Sequence, residues 1–310
     1  MEIQNILITG RIYQEMAQIL LKEKIDKDFR FVSENEVSLD DLLWADAYVG
    51  FCPTENFQFG NMKWVHSLGA GVDRFLFNRE WKEDVLLTRT VCSFGQKISE
   101  YCLSYILRDL QGHDVYAWYQ SKRQWKQVVP KSIQEQNIVV YGTGAVGQEV
   151  AKNLFSLGVK PIGVSRSGAA KPYFSEVVPV SRAADVMVKA DWVINTLPLT
   201  KETYKFFDDE FFYRLQNAGF INVGRGATVD DEALLNALEK RYVRLAVLDV
   251  FTKEPLSTDS PLWQHPNVII TPHISALTSP EEAVQSFLTT LKHIEENKPI
   301  VNKVDVLKGY

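Results

Sequence analysis

The amino-acid sequence predicts an α/β protein with two open parallel-sheet domains, the second inserted into the first. Short apolar segments alternate with amphipathic ones along the chain, which is typical of strands and helices in turn. The alternation stops over residues 111–136, which are polar and aromatic, and restarts at Asn137. At the restart an apolar run ends directly in a glycine-rich turn that opens a helical pattern, which is typical of a doubly wound sheet.

The first domain is predicted from five short apolar segments with helical patterns between them. The predicted strands are Ile6–Thr9, Phe29–Val32, Ala47–Phe51, Trp64–Leu68 and Val85–Thr90, and the helical patterns are Tyr13–Leu21 and Leu39–Trp44. A long helix over 280–296 follows the second domain, and we expect the first domain to use it as a closing element. Residues 1–97 and 282–310 are therefore assigned to the first domain, and 98–281 to the second.

A long amphipathic helix is predicted over Ile98–Leu110. After it, the second domain shows the alternation of strands and helices more clearly than the first. Its predicted strands are Ile138–Tyr141, Pro161–Val164, Trp192–Asn195, Phe220–Val223, Arg244–Leu248 and Val268–Ile270. Its predicted helices lie near Ala145–Ser156, Ala183–Lys189, Asp208–Leu215 and Asp230–Lys240. Six strands with crossovers predict a doubly wound Rossmann sheet, and residues 111–136 are interpreted as a connection plus an arm.

Composition excludes several classes of protein. The 310 residues are 45% hydrophobic and 24% charged, which is typical of a soluble globular protein. A net charge of −5 without a basic run argues against nucleic-acid binding. There is no signal-peptide pattern and no apolar run of about 18 residues, so we expect a cytoplasmic protein without membrane contact. Three cysteines without a CxxC pair predict neither a disulfide framework nor a metal site.

The glycine turn predicts a dinucleotide site. In the segment Gly142, Thr143, Gly144, Ala145, Val146, Gly147, the first glycine permits a tight turn and the second lets the backbone approach a pyrophosphate. The third lets helix and strand pack closely, and the helix start offers N–H groups to the phosphates. A glycine turn that serves packing alone is the alternative.

The second strand of this unit favours NADP over NAD. An acidic residue that grips the ribose 2′-hydroxyl is expected about 20 residues after the turn, but Ser165, Arg166 and Ser167 stand there instead. Hydroxyls and a guanidinium suit a 2′-phosphate, because Arg matches phosphate oxygens in a fork. A solvated surface Arg166 is the alternative, and NAD remains possible.

Three loops after the late strands carry candidate catalytic residues. Arg225, between two glycines that are interpreted as keeping its surroundings open, can clamp a carboxylate. Glu254 precedes a proline, and Asp249 ends a strand. His273 follows a strand end and is the side chain best able to transfer a proton near neutral pH.

Each of these residues has an ordinary structural alternative when it is taken alone. Together they form an anion clamp and a carboxylate–imidazole pair, which is what reduction of a 2-keto acid requires. Of the other histidines, His265 is interpreted as a structural turn residue. His66, His113 and His293 have no supporting context.

The chain resembles the D-isomer-specific 2-hydroxyacid dehydrogenases. The resemblance is carried by GTGAVG (142–147), NTLPLT (195–200), INVGRGATVDDEAL (221–234), LDVFTKEPL (248–256), HPNVIITPHIS (265–275) and SLGAGVD (67–73). The match covers nearly the whole chain, and the motifs are specific in combination. In Ser165, Arg166 and Ser167 and in its short length, the chain most resembles the NADPH-using glyoxylate/hydroxypyruvate reductase branch.

The resemblance implies a fold and a set of roles. The first domain would be a flavodoxin-like substrate domain. Arg225 would hold the substrate carboxylate, His273 would donate a proton to the keto oxygen, and Glu254 would hold His273. Asp249 would bind the nicotinamide carboxamide. Further cofactor contacts are expected at Thr196, Leu197, Pro198, Val223 and Ser275, and main-chain substrate contacts at Leu68, Gly69, Ala70 and Gly71.

Several alternatives stay open. Bulkier 2-keto acids such as phenylpyruvate or 2-ketoisocaproate would replace glyoxylate or hydroxypyruvate, and a phosphoglycerate dehydrogenase-like activity is a further option. A more distant alternative is a non-catalytic NAD(P)H sensor. The resemblance also implies a homodimer through the nucleotide-binding domain, with the 100–135 region as the arm.

Overall fold

The computed structural model describes residues 1–309, which divide into two compact units. The first unit contains Met1–Cys92 and the residues from Thr278 onward, and the second contains Ser93–Leu277. The boundaries predicted at 97/98 and 281/282 lie a few residues further along the chain. Each unit holds one sheet of parallel strands, so the predicted fold class is confirmed.

The structure contains twelve strands and ten α-helices among the described residues. The strands are β1 (Asn5–Ile8), β2 (Asp28–Phe31), β3 (Ala47–Gly50), β4 (Trp64–Ser67), β5 (Leu86–Arg89), β6 (Ile138–Tyr141), β7 (Ile162–Ser165), β8 (Glu176–Pro179), β9 (Trp192–Asn195), β10 (Ala218–Asn222), β11 (Val243–Leu248) and β12 (Val268–Ile270). The helices are α1 (Tyr13–Leu20), α2 (Leu39–Trp44), α3 (Asp73–Leu76), α4 (Phe94–Leu110), α5 (His113–Ser121), α6 (Ala145–Ser156), α7 (Ala184–Met187), α8 (Asp209–Tyr213), α9 (Asp231–Glu239) and α10 (Pro280–Glu295).

The first unit has a five-stranded sheet in the order β2-β1-β3-β4-β5. This is the flavodoxin-like order that the resemblance implies. Helix α10 packs on this sheet, as expected for a closing element. It begins with a capping box between Ser279 and Glu282, and its Phe287 ring stacks on Trp64 with the ring centroids 5.5 Å apart. Its buried stripe belongs to the same core as the β1, β3 and β4 side chains.

The second unit has a seven-stranded sheet in the order β12-β11-β10-β9-β6-β7-β8. The prediction of six strands is therefore short by one, because β8 is missed. Strand β8 lies at the edge of the sheet and ends in Pro179, a residue that cannot donate to a neighbouring strand. Its exposed Glu176 and terminal proline hide the strand pattern, since only Val178 is buried.

The predicted connection over residues 111–136 contains a helix that the sequence pattern does not reveal. Helix α5 begins after Gly112, whose φ is +65°, and none of its residues is buried. Because no side of α5 faces the core of its own unit, its apolar residues show no helical spacing. Trp118 is 53% exposed, and Trp125 beyond the helix is 97% exposed.

Across residues 1–309, no helix combines the length and the apolar character needed to cross a lipid bilayer.

Candidate active site

The second sheet ends at one level along six of its strands. The residues that pair across this edge are Val164, Tyr141, Asn195, Asn222, Leu248 and Ile270. Each is the last or next-to-last residue of its strand, so the loops that follow all leave the same edge of the sheet. These loops, together with the end of β7 and the first turn of α6, carry every site residue that the sequence predicts for this unit.

The three glycines of the first loop are in different surroundings. Gly142 has a φ of +96°, and a Cβ atom there would lie 2.5 Å from Oγ1 of Thr196. A Cβ atom on Gly147 would lie 1.9 Å from the carbonyl oxygen of Gly142. A Cβ atom on Gly144 would meet no atom within 4 Å. Two glycines are thus required by the turn itself, while the third leaves open space.

Helix α6 begins at this open space without a side-chain cap. The first N–H groups of a helix, here from Ala145 and Val146 onward, have no partner within the helix and favour an anion. Gln148 holds the turn, because its Nε2 donates to the carbonyl oxygens of Thr143 at 3.1 Å and of Gly144 at 3.4 Å. This arrangement can hold a pyrophosphate.

The segment after β7 forms a small polar turn with an exposed cation. Oγ of Ser165 accepts the N–H of Gly168 at 3.1 Å, and Oγ of Ser167 accepts the N–H of Ala169 at 3.3 Å. Arg166 is exposed, and no acidic residue lies within the turn.

An acidic residue does approach Arg166 from another loop. The pKa of Glu202 is lowered by hydrogen bonds from its own N–H and the Thr200 hydroxyl, with a smaller effect from the charge of Arg166. The residues directly after β7 do not predict this neighbour, because Glu202 lies in the loop after β9.

The loop after β9 is held by its own polar side chains. Thr196 Oγ1 donates to the carbonyl oxygen of Tyr141 at 2.8 Å. The N–H of Leu197 donates to Oδ1 of Asn195 at 2.9 Å, and Thr203 Oγ1 donates to the carbonyl oxygen of Pro198 at 2.6 Å. The predicted cofactor contacts at 196–198 therefore lie beside the glycine turn, half-buried and ordered.

Arg225 extends from a crowded main chain. A Cβ atom on Gly224 would lie 2.6 Å from the carbonyl oxygen of Leu197, and one on Gly226 would lie 1.8 Å from the carbonyl carbon of Phe251. The interpretation that these glycines keep the surroundings of Arg225 open is wrong, since they are needed for close main-chain packing. The half-buried guanidinium donates through Nη1 to the carbonyl oxygen of Gly224 at 2.7 Å.

Two asparagines and a threonine lie beneath this loop. Nδ2 of Asn195 donates to Oδ1 of Asn222 and Oγ1 of Thr228, both at 2.8 Å. Thr228 Oγ1 in turn donates to the carbonyl oxygen of Arg225 at 2.6 Å. This network is not among the residues predicted from the sequence, although an asparagine ends each of the two fully buried strands β9 and β10. The neighbouring Val223 is itself buried.

His273 and Glu254 form the carboxylate–imidazole pair that the sequence predicts. Nδ1 of His273 lies 2.8 Å from Oε2 of Glu254. The other carboxylate oxygen, Oε1, accepts the N–H of Phe251 at 3.0 Å. The imidazole is 45% exposed and the carboxylate 20%, so the ring is reachable from solvent while its partner is held in place.

Asp249 organises the segment around His273. Its Oδ1 accepts the N–H of Ile274 at 2.8 Å and its Oδ2 that of Ser275 at 2.9 Å. Its carbonyl oxygen accepts the N–H of His273 at 2.9 Å. Asp249 is fully buried and Ser275 is 8% exposed, so both act inside the protein as supports of the loop.

The predicted substrate loop of the first unit follows strand β4. Leu68 is buried, and its N–H donates to the carbonyl oxygen of Gly50 at 3.0 Å. Leu68 directly follows β4, and this bond already uses the N–H that the resemblance implies as a donor to the substrate. Gly69 donates weakly to Oγ of Ser67 at 3.3 Å, and Arg89 Nη1 donates to the carbonyl oxygen of Ala70 at 3.0 Å. The Gly71 carbonyl lies 3.1 Å from the same Ser67 hydroxyl.

Within residues 1–309, no group of three or more His, Cys, Asp and Glu side chains is arranged to hold a metal ion.

Comparison with known proteins gives matches over most of the chain. A family model described as D-isomer specific 2-hydroxyacid dehydrogenase, NAD binding domain, matches residues 103–275. Glyoxylate/hydroxypyruvate reductase A of Serratia proteamaculans (strain 568) is 33% identical over 258 residues, which cover 81% of this chain and 82% of the reductase.

Two solved structures are similar throughout. A D-isomer specific 2-hydroxyacid dehydrogenase from Xanthobacter autotrophicus Py2, in complex with NADPH and MES, has a TM-score of 0.89 and 28% identity, with all of both chains covered. The NADPH-dependent glyoxylate/hydroxypyruvate reductase of Sinorhizobium meliloti, in complex with NADP and sulfate, has a TM-score of 0.86 and 25% identity. That similarity covers 99% of this chain and 100% of the reductase.

Proposed function

The chain belongs to the D-isomer specific 2-hydroxyacid dehydrogenase family, and on that premise we propose that it reduces a small 2-keto acid to the D-2-hydroxy acid with NADPH. The substrates proposed first are glyoxylate and hydroxypyruvate, which the named relatives reduce. The observation that carries the proposal is the His273–Glu254 pair, 2.8 Å apart, at the same sheet edge as Arg225.

The residues present fit a nicotinamide dinucleotide phosphate. Gly144 leaves open space in front of the uncapped start of α6, which suits a pyrophosphate. Arg166 in its polar turn would hold the 2′-phosphate, and the 196–198 loop would line the adenosine side. Two solved relatives bound to NADPH or NADP support this choice over NAD. When bound, the reduced nicotinamide supplies the hydride for C2 of the keto acid.

Three side chains of the second unit would bind the substrate and transfer the proton. Arg225 binds the substrate carboxylate through its planar fork and polarises the neighbouring keto oxygen. Nδ1 of His273 faces Glu254, so Nε2 is the ring nitrogen left to donate a proton to that oxygen. The Glu254 carboxylate holds the Nδ1–H throughout, which keeps the ring in one orientation and stabilises its charged form before the proton leaves.

In the first unit, fewer main-chain groups of the substrate loop are free to bind substrate than the resemblance implies. Because the N–H of Leu68 donates to the carbonyl oxygen of Gly50, we propose main-chain contacts to substrate only from Gly69, Ala70 and Gly71. Because Asp249 is fully buried and its carboxylate accepts the N–H groups of Ile274 and Ser275, we propose that it supports the loop that carries His273 and does not itself bind the nicotinamide carboxamide.

We further propose a homodimer formed through the second unit. Helix α5 has no buried residue, although it carries Val115, Trp118 and two tyrosines. Trp125 and Val129 beyond it are 97% and 88% exposed. A contiguous aromatic surface of this kind is typical of a protein–protein contact. Sedimentation of the wild type and of Trp125→Asp tests this, since a dimer at micromolar concentration should become monomeric in the variant.

The proposed activity is tested by initial rates with NADPH and NADH side by side. The substrates are glyoxylate, hydroxypyruvate, pyruvate, 2-ketoisocaproate and phenylpyruvate, and the handedness of each product is assigned with a chiral column. Turnover with a strong NADPH preference and a D product is the expected result. Faster turnover of the bulky acids would favour the wider substrate class. Nucleotide binding without any turnover would favour the sensor.

A further inference from the structure

Three hydrogen-bonding groups connect helix α4 to the loop that carries His273. The hydroxyl of Tyr101 lies 2.7 Å from Oγ1 of Thr271, and that Oγ1 lies 2.6 Å from Oδ1 of Asp249. Tyr101 is 9% exposed and Asp249 is fully buried. Because water does not compete in such surroundings, these bonds are stronger restraints than their counterparts at a surface.

The chemistry of the three groups determines the direction of both bonds. Oδ1 of Asp249 accepts from the Thr271 hydroxyl, so Thr271 gives its single proton to Asp249. The Thr271 oxygen must then accept the proton of Tyr101. Burial raises the pKa of Tyr101, so the phenol stays protonated and remains a donor across the pH range of an assay.

Asp249 passes this restraint to His273. It accepts the N–H groups of Ile274 and Ser275 through its carboxylate, and the N–H of His273 through its carbonyl oxygen. His273 has a φ of +55°, in the left-handed region that side chains other than glycine rarely adopt. Such a conformation persists only where the surrounding bonds hold it in place.

We infer that Tyr101 is a positioning residue for His273, acting through Thr271 and Asp249. The inference rests on the proposed function, in which Nε2 of His273 donates the proton. Without the phenol hydroxyl, Thr271 and Asp249 keep their own bond but lose their attachment to α4. His273 would then sample more positions, and proton transfer is sensitive to small changes in donor position.

Tyr101→Phe in the full-length protein tests this, with Tyr105→Phe as the matched control. Tyr105 lies one turn further along α4, with its ring centroid 4.9 Å from that of Tyr101, and its hydroxyl makes no hydrogen bond within residues 1–309. Tyr101→Phe should lower kcat about tenfold, while KM and the Kd for NADPH change less than about twofold. Tyr105→Phe should leave kcat within about twofold of wild type.

The route through Thr271 is tested by a double-mutant cycle. In a Thr271→Val background the phenol has no hydroxyl to bind, so Tyr101→Phe should cause no further loss of kcat. Losses that multiply in the double variant would mean that Tyr101 acts independently of Thr271, and would overturn the proposed route.

A second readout needs no substrate. The imidazole signals of the five histidines can be recorded by NMR. The signals of His273 and His265 are identified by their loss in His273→Asn and His265→Asn. Tyr101→Phe should shift or broaden the His273 signals and leave those of His265 unchanged. If the wild type reduced no keto acid, the proposed function would fail, but the NMR measurement would still test whether Tyr101 positions His273. Unchanged His273 signals in Tyr101→Phe would overturn the positioning role of Tyr101.

Discussion

Gly226 and Phe251 are in direct main-chain contact, since a Cβ atom on Gly226 would lie 1.8 Å from the carbonyl carbon of Phe251. Gly226 follows Arg225, the proposed carboxylate clamp. Phe251 donates its N–H to Oε1 of Glu254, the partner of His273. The contact therefore sets the spacing between the two loops on which the proposed chemistry depends.

Gly226→Ala should both destabilise the second unit and remove activity. The added methyl group meets main-chain atoms that cannot rotate away, so one loop must move. Overpacking of this kind costs about 2–3 kcal/mol in the free energy of unfolding, which chemical denaturation can measure. We expect kcat/KM to fall by at least about a hundredfold, because a shift of about 1 Å at a reacting group has an effect of that size. A stable, active variant would contradict this account of the loop spacing.

Gly144→Ala should behave in the opposite way. The position has ordinary backbone angles and open space around it, so the free energy of unfolding should change by less than about 1 kcal/mol. The methyl group would, however, project into the space proposed for the pyrophosphate, and the Kd for NADPH should rise at least about tenfold. Fluorescence titration of NADPH measures this. Unchanged affinity would place the pyrophosphate elsewhere.

The fold class could be predicted from the sequence because strand and helix periods alternate cleanly, and the apolar strands β6, β9 and β10 are buried on both faces. Strand β8 and helix α5 were missed for the opposite reason, since one is an exposed edge and the other has no buried side. In such segments no core imposes a period on the residues.

The site residues that lie within single loops after strand ends could be predicted from the sequence. His273 and Glu254 could be paired because each follows a strand end, and parallel strand ends meet at one edge. The contacts of Tyr101 with Thr271, and of Glu202 with Arg166, join elements far apart in sequence. No local spacing signals them, so they become visible only in the folded chain.

Arg166→Ala and Glu202→Gln should change the affinity for NADPH in opposite directions. Arg166→Ala would remove the cation proposed for the 2′-phosphate, so the Kd for NADPH should rise by about tenfold or more while that for NADH stays within about twofold. Glu202→Gln would remove a negative charge near that phosphate, so NADPH should bind a few-fold more tightly. Both are measured by titration at fixed ionic strength. Equal effects on the two cofactors would disprove the assignment of Arg166.

His273→Asn should lower kcat by roughly a hundredfold to ten-thousandfold, the range for loss of a general acid. The Kd for NADPH should change less than about twofold, because the imidazole has no proposed contact with the phosphates. His265→Asn is the matched control, since His265 lies in a turn of the same unit and accepts the N–H of Asn267 at 3.2 Å. Single-turnover rates separate the chemical step from product release. An equal loss of kcat in His273→Asn and His265→Asn would contradict the role of His273 as the proton donor.

His66, which had no supporting context in the sequence, lies in a closed hydrogen-bond network inside the first unit. Nε1 of Trp64 donates to Oγ1 of Thr88, which lies 2.7 Å from Nδ1 of His66. Thr90 Oγ1 lies 3.3 Å from Nε2 and donates to the carbonyl oxygen of Ser67 at 3.1 Å. Every proton is used once if the ring is neutral with its hydrogen on Nε2, the tautomer assigned from this network.

This network predicts a specific loss of stability in acid. Burial lowers the pKa of His66 to about 3, against about 6.5 in the unfolded chain. Because the folded value is the lower one, the stabilisation is fully present above about pH 6.5 and is lost as the pH falls toward 3. From pH 6 to pH 4 the wild type should therefore lose about 2–3 kcal/mol more unfolding free energy than His66→Asn, whatever the variant loses at neutral pH. Urea unfolding at both pH values measures the difference. Parallel losses in the two proteins would show that His66 takes up a proton without unfolding.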